Sequence, residues 1–161
     1  MSHALGVSSS EILARLKFSS DECAKINAVI SRRENFEPLQ YILGNEIFCG
    51  RNFFVGDGVL IPRHDTETLI HGVKKIFPRE ASFSFLDWGT GSGCLAVTLL
   101  LEFPKSFAHM LDISEDALKY ARKNLSFYHL EERAKIIGKF DAPPVNLLIS
   151  NPPYIPTEEI S

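Results

Sequence analysis

At 161 residues, 45% apolar and 23% charged, the chain has the composition of one globular domain, or of one with a small appendage. No run approaches the roughly 18 uncharged apolar residues of a membrane span. A net charge of −3 counts against a polyanion as main partner, because phosphate binding needs clustered Lys and Arg.

The start, MSHALGVSSSEILARL, has no basic stretch leading into a continuous apolar core, so no signal peptide is read. Cys23, Cys49 and Cys94 are odd in number, far apart and without a CxxC pair. They read as reduced structural thiols of a cytosolic protein. The basic stretches KKIFPR (74–79) and KYARK (119–123) read as solvated helix faces rather than a nucleic-acid groove.

The first third is helical in pattern. SSSEILARLKF places Ile12, Leu13 and Leu16 at helical spacing behind serine caps. Ser19 and Glu22 fit a capping box opening a helix whose Cys23, Ile26, Val29 and Ile30 share a face. From Glu37 to Pro62, glycine, aromatic and β-branched residues suggest a hairpin or short strands. RHDTETLIHGVKKIF returns to helical period. Asp65 or Thr66 is its expected N-cap, with Thr68, Leu69, Val73, Ile76 and Phe77 facing inward and Pro78 stopping it.

From Ser82 onward strand and helix alternate. FSFLDW (83–88) reads as a buried strand, GTGSG (89–93) as a tight turn, and CLAVTLLLEF (94–103) as a helix apolar nearly all round. SFAHMLD (106–112) is a second strand. A helix capped by Ser114 follows, with Ala117, Leu118, Ala121, Leu125 and Tyr128 on one face. AKIIG and VNLLIS close the series as third and fourth strands. This order predicts a parallel α/β sheet with its ligand at the carboxyl ends of the strands.

Three features at those ends carry chemistry. Gly89, Gly91 and Gly93 allow positive φ and close approach of a ligand, but a dinucleotide fingerprint would need glycine where Cys94 stands. The spacing therefore disfavours a pyrophosphate cradle. Asp112 ends the second strand roughly twenty residues beyond the turn, where a carboxylate can accept both hydroxyls of a ribose. Turn and acid together describe an adenosine pocket with no demand for phosphate, and S-adenosyl-L-methionine is such a ligand. Asp87 either faces the methionine part of that ligand or makes a turn-stabilising Asx bond.

The third feature is ISNPPYIP (149–156). A planar amide or nucleobase nitrogen is a poor nucleophile because its lone pair is delocalised. A site accepting hydrogen bonds from both of its N–H groups would aim the lone pair at a methyl donor. Asn151 can offer its side-chain oxygen, Pro152 its backbone carbonyl, and Tyr154 a flat face, on a loop stiffened by Pro152 and Pro153. Orientation of this kind can supply roughly 7–11 kcal/mol of a barrier without a metal.

FLDWGTGSG, LDISEDALKYARKNL and ISNPPYI, in that order, resemble the HemK/PrmC protein-(glutamine-N5) methyltransferases. NPPY alone also occurs in enzymes acting on amines of DNA and ribosomal RNA. The discriminating stretch is EPLQYILGNEIFCGRNFFVGDGVLIPRHDTETLI, which is similar to that family's interdomain hairpin and entry to its catalytic domain. The resemblance implies a partial Rossmann-like α/β sheet of the class I S-adenosylmethionine-dependent methyltransferases, preceded by a short helical segment and a β-hairpin linker. Residues 1–36 would be part of a helical substrate-recognition domain, 37–63 the linker and 64–161 the N-terminal part of the methyltransferase domain.

The activity implied is N5-methylation of the glutamine in the Gly-Gly-Gln loop of class I peptide-chain release factors. By the same resemblance Asn151, Pro152, Pro153 and Tyr154 would hold the substrate amide, with Asn151, Pro152 and Tyr154 catalytic. Asp87, Gly89, Thr90, Gly91, Gly93, Asp112 and Asn151 would hold the cofactor. Arg63 and Asp65–Glu67 lie in a motif near the site, although the residues alone read its acids as helix caps.

There are departures: His64 and Trp88 stand where the family usually has proline and leucine. Lys139 stands where it has an acid near the adenine, with Asp141 as a substitute. His64, Glu67 and His71 could suggest a metal set, but this chemistry needs none. The family's helical domain and sheet both extend further, so the chain reads as a fragment of such an enzyme, in the cytoplasm or an organelle. Two alternatives compete: a methyltransferase for nucleic-acid amines, and an inactive remnant that keeps at most cofactor binding.

Overall fold

The structure is a computed structural model, and it describes residues 5–6, 8–14, 17–137 and 143–152. The chain divides into two compact units, Met1–Asn45 and Glu46–Ser161.

The first unit holds α1 (Ser9–Ala14), α2 (Ser20–Glu34) and α3 (Leu39–Leu43). The capping box expected at Ser19 and Glu22 is present: the Glu22 N–H donates to Ser19 Oγ, and the Ser19 N–H donates to Glu22 Oε2 at 2.9 Å. The expected inward face of α2 is not buried. Cys23 and Ile30 are exposed, and Ile26 and Val29 are half-buried. Helix α3 was expected as extended chain; Pro38 precedes it and Gly44, at φ 72°, ends it in the left-handed conformation.

The second unit opens on a hairpin of β1 (Asn45–Phe48) and β2 (Arg51–Phe54). Its two-residue turn places Cys49 at φ 48° and Gly50 at φ 70°, the pair of positive angles that matches the twist of the strands. A 3-10 turn (His64–Thr66) leads into α4 (Glu67–Ile76). Neither Asp65 nor Thr66 caps α4 through its side chain. Thr66 is already helical, and its hydroxyl is used elsewhere. The buried stripe is Thr66, Ile70 and Val73, whereas Thr68 and Ile76 are exposed. Of the residues expected to face inward, Val73 is buried and Leu69 and Phe77 pack against the core.

Strand β3 (Ser84–Trp88), α5 (Cys94–Glu102), β4 (Phe107–Leu111), α6 (Glu115–Phe127), β5 (Ala134–Ile137) and β6 (Leu147–Ser150) follow. Ser114 caps α6 by accepting the Ala117 N–H. Among the described residues the sheet has the order β5-β4-β3-β6, all parallel, with Asp87 in register with Met110 on one side and Ile149 on the other. One face, carrying Phe85, Ala108, Met110 and Ile149, packs in the core with α5, whose residues Cys94 to Leu100 are all buried. Glu102 at the end of α5 pairs with Arg51 of β2 (2.5 Å) and Lys74 of α4 (2.6 Å), joining hairpin and helix to the sheet layer. The chain builds β4 and β5 to one side of β3 and β6 to the other. A crevice at the carboxyl ends of β3 and β6 is therefore where an open α/β sheet takes its ligand.

Candidate active site

The turn after β3 uses its own N–H groups internally. Gly89 and Thr90 donate to the Leu111 carbonyl (2.8 and 2.9 Å), Gly91 to Asp112 Oδ2 (2.8 Å), and Gly93 to the Thr90 carbonyl (2.8 Å). These four N–H groups are therefore not arrayed toward a phosphate, in agreement with the sequence reading of Cys94. Gly93 has a second reason to be glycine: it sits at φ 79°, and a Cβ there would lie 2.9 Å from Met110 Cε and 3.4 Å from the Ala121 backbone. Turn, β4 and α6 are thus pressed together at that point.

Asp112 accepts from the Gly91 N–H through Oδ2 and from the Ser114 N–H through Oδ1 (2.9 Å). Each oxygen keeps a further lone pair, so the carboxylate holds the turn to the cap of α6 and can still accept from a diol.

Asp87 is fully buried. Its Oδ2 accepts from Thr90 Oγ1 (2.7 Å) and from the Ala96 N–H (3.2 Å), while Oδ1 has no protein partner. The turn-stabilising bond and an unpartnered acceptor are both present in the one side chain. Burial pushes this carboxyl up to about 6 against the stabilising bonds from Thr90 and Ala96. The folded protein then binds a proton more tightly than the unfolded chain does, so Asp87 lowers stability as pH rises from about 4 to about 6. A shift of this size corresponds to about 3 kcal/mol. Urea unfolding of the wild type and of Asp87→Asn at pH 4 and pH 7 is expected to show a wild-type loss exceeding the variant's by that order. Parallel pH dependence would contradict the assignment.

Asn124, which the sequence analysis did not single out, joins three segments. Its Oδ1 accepts the Phe54 N–H (2.8 Å), and its Nδ2 donates to the carbonyls of Phe54 (3.0 Å) and Ser92 (2.8 Å). The residue is fully buried. The signal was an Asn inside the apolar stripe Ala117–Ala121–Leu125, where a polar side chain needs partners. The segment after β2 then lies flat on α6: a Cβ on Gly56 would meet the Tyr120 hydroxyl at 2.0 Å. Asn124→Ala is expected to cost about 3 kcal/mol in urea unfolding, since three backbone groups lose their partner. A cost below about 1 kcal/mol would mean that water replaces the side chain.

The same segment delivers Leu60 and Pro62 to a cleft of about 50 Å³, where they meet Thr66, Gly89, Gly91 and Asn151. Asn151 leaves the end of β6 half-buried, and its Nδ2 donates to Thr66 Oγ1 at 3.1 Å. Ser150 Oγ donates to the Trp88 carbonyl (2.7 Å), tying the end of β6 to that of β3. Pro152 is exposed. Asp112 stands outside the cleft lining, beyond the turn. Cys94 lines the cleft, and burial pushes its thiol up to about 12, so it stays protonated at neutral pH. Pro153, Tyr154, Lys139 and Asp141 lie outside the described residues.

Of the motif at the entry to α4, Arg63 and Asp65 are exposed. Glu67 accepts the N–H of Cys49 (2.9 Å), which, with the His64 side chain 3.3 Å away, holds its carboxyl below the usual range despite partial burial. Its place is thus to satisfy the hairpin turn. Among the described residues no cluster of three His, Cys, Asp or Glu side chains is positioned for a metal ion. The methyl donor inferred from the sequence fits what is here: acidic acceptors, a buried carboxylate oxygen without a protein partner (Asp87 Oδ1) and a turn whose donors face inward.

Two solved structures share this fold. The Pyrococcus abyssi tRNA (uracil-54, C5)-methyltransferase in complex with S-adenosyl-L-homocysteine matches 68% of this chain and 28% of its own, with TM-score 0.53 and 16% identity. The precorrin-6Y C5,15-methyltransferase of Geobacter metallireducens matches 61% of this chain and 53% of its own, with TM-score 0.51 and 13% identity. At such identities the likeness is one of fold, and the fold is the Rossmann-like class I methyltransferase sheet.

The sequence carries the relationship further. Residues 65–160 match the methyltransferase small domain, and residues 1–44 match the PrmC N-terminal domain. The release factor glutamine methyltransferase of Koribacter versatilis is 40% identical over 143 residues, covering 86% of this chain and 51% of that protein. That of Caulobacter vibrioides is 35% identical over 164 residues, covering 98% and 57%. The chain belongs to the methyltransferase small-domain family, and it spans about half the length of the curated relatives it matches.

Proposed function

We propose that this chain carries the cofactor turn and target-amide clamp of an S-adenosyl-L-methionine-dependent protein-(glutamine-N5) methyltransferase acting on the Gly-Gly-Gln loop of class I peptide-chain release factors. The observation that carries the reading is the cleft itself, in which Asn151 at the end of β6 stands with the glycine turn at the end of β3. Identity of 35–40% to relatives named for that activity, over 86–98% of this chain, supports the substrate. The match of residues 1–44 to the PrmC N-terminal domain supports the same family over a nucleic-acid amine methyltransferase.

When bound, S-adenosyl-L-methionine would supply a methyl group on a positively charged sulfur; the amide nitrogen would gain it and lose one proton, and the cofactor would be left as the thioether. Asp112 would hold the ribose hydroxyls, and Gly89, Thr90, Gly91 and Gly93 would form the floor. Asp87 would offer its unpartnered Oδ1 toward the amino-acid part. Asn151 Oδ1 and the Pro152 carbonyl would each accept one N–H of the glutamine side chain, fixing the plane of the amide. Pro153 and Tyr154 would continue that clamp. No helix among the described residues is long and apolar enough to cross a membrane. The substrate would place the protein in a translating compartment, the cytoplasm by this reading.

The test is mass spectrometry of a release factor incubated with the chain and the methyl donor. The expected result is one added CH2 unit on the glutamine of the Gly-Gly-Gln loop. Transfer to unmodified ribosomal RNA or DNA, with none to the release factor, would overturn it.

A further inference from the structure

An amide side chain has two ends, and only one serves a target that brings N–H groups. If Asn151 is to accept a hydrogen bond, its oxygen must face the cleft and its NH2 group must be held elsewhere. Thr66 occupies that other side: its Oγ1 accepts from Asn151 Nδ2 at 3.1 Å, and the residue is 7% exposed. The two are far apart in the chain, one at the entry to α4 and one at the end of β6.

Thr66 is well placed to be rigid. Its N–H donates to the Arg63 carbonyl (3.0 Å), and its neighbour Glu67 anchors the same turn to the hairpin through the Cys49 N–H. Thr66 also lines the cleft. A helical Thr has two main χ1 rotamers, and burial with the bond to Asn151 selects one of them.

We propose that Thr66 is a positioning residue for Asn151: by accepting a hydrogen bond from Nδ2 it turns Oδ1 toward the target amide. The proposal rests on the reading of Asn151 as the residue that holds that amide. With the hydroxyl gone, the Asn151 amide can rotate and present its NH2 group to the donors it should receive.

The experiment compares the wild-type chain with Thr66→Val, which keeps the shape and loses the hydroxyl, and Thr66→Ser, which keeps the hydroxyl. The side-chain NH2 resonances of Asn151 are assigned by their loss in Asn151→Asp. In the wild type and Thr66→Ser, one of the two protons is expected to exchange slowly with solvent; in Thr66→Val both are expected to exchange fast. Methyl transfer should fall about 10–100-fold in kcat for Thr66→Val and return to within about threefold for Thr66→Ser, with cofactor affinity nearly constant.

Unchanged Asn151 exchange in a folded Thr66→Val would overturn the proposal, as would a Thr66→Ser variant no better than Thr66→Val. If the exchange pattern follows expectation while the wild type methylates no glutamine, the brace stands and the assigned reaction fails. Should Thr66→Val not fold, Thr66→Ala is read in the same two ways.

Discussion

Asn151→Ala is expected to lower methyl transfer by about 10²–10³-fold and affinity for S-adenosyl-L-methionine far less, by no more than about tenfold, because the turn and Asp112 would hold most of the cofactor. The size follows from its part in the reading. A preorganised acceptor aimed at the reacting amide acts on the barrier, and its removal leaves the nitrogen free to rotate out of line. The cofactor turn should survive, because its hydrogen bonds run to Leu111, Asp112 and Asp87 and none to Asn151. Only the bond to Thr66 is lost among the described contacts of the side chain. Single-turnover rates beside calorimetric affinities separate the two quantities. Equal loss of both would make Asn151 a structural residue and remove the clamp from the mechanism.

Asp112→Ala is expected to weaken cofactor binding about 100-fold or more, with stability reduced as well. Two effects combine: a carboxylate that accepts from a ribose makes charge-assisted bonds of about 1.5–3 kcal/mol each. The same carboxylate fixes the turn through Gly91 and the cap of α6 through Ser114. Asp112→Asn distinguishes them. It retains one acceptor oxygen, so the fold should recover more than the affinity does. Calorimetric titration with urea unfolding of both variants checks this. An Asp112→Asn protein that binds like the wild type would mean that the charge is not used by the ligand.

How far the molecule can be read from its sequence depends on how local each signal is. The order β3–α5–β4–α6–β5–β6 was legible because each element carries its own period, cap or breaker: Ser114 for α6, the glycines after β3, Pro78 after α4. The capping box at Ser19 was equally local. Helix α3 was not legible as helix. Its five residues, LQYIL, span little more than one turn, too short to establish a period. Pro38 before it and Gly44 after it were the available signals.

At the site, the glycine turn, Asp112 and Asn151 each stand at the end of a recognisable strand, so topology alone predicts their shared edge. The partnership of Thr66 with Asn151 and that of Asn124 with Phe54 and Ser92 depend on side chains brought together across long stretches of chain. Asp65 or Thr66 is the N-cap the sequence offers, and Thr66 does hold that position, but without a capping bond from its side chain. The 3-10 turn that draws it into the helix freed its hydroxyl for Asn151.

The most direct test of the account is a titration of the 161-residue chain with S-adenosyl-L-methionine, followed by backbone and side-chain amide resonances. The account predicts saturable one-site binding, with the largest shifts at Gly89 to Gly93, at Asp112 and at the Asn151 side chain. No saturable binding by a chain shown to be folded, or shifts confined to residues away from the ends of β3, β4 and β6, would contradict it.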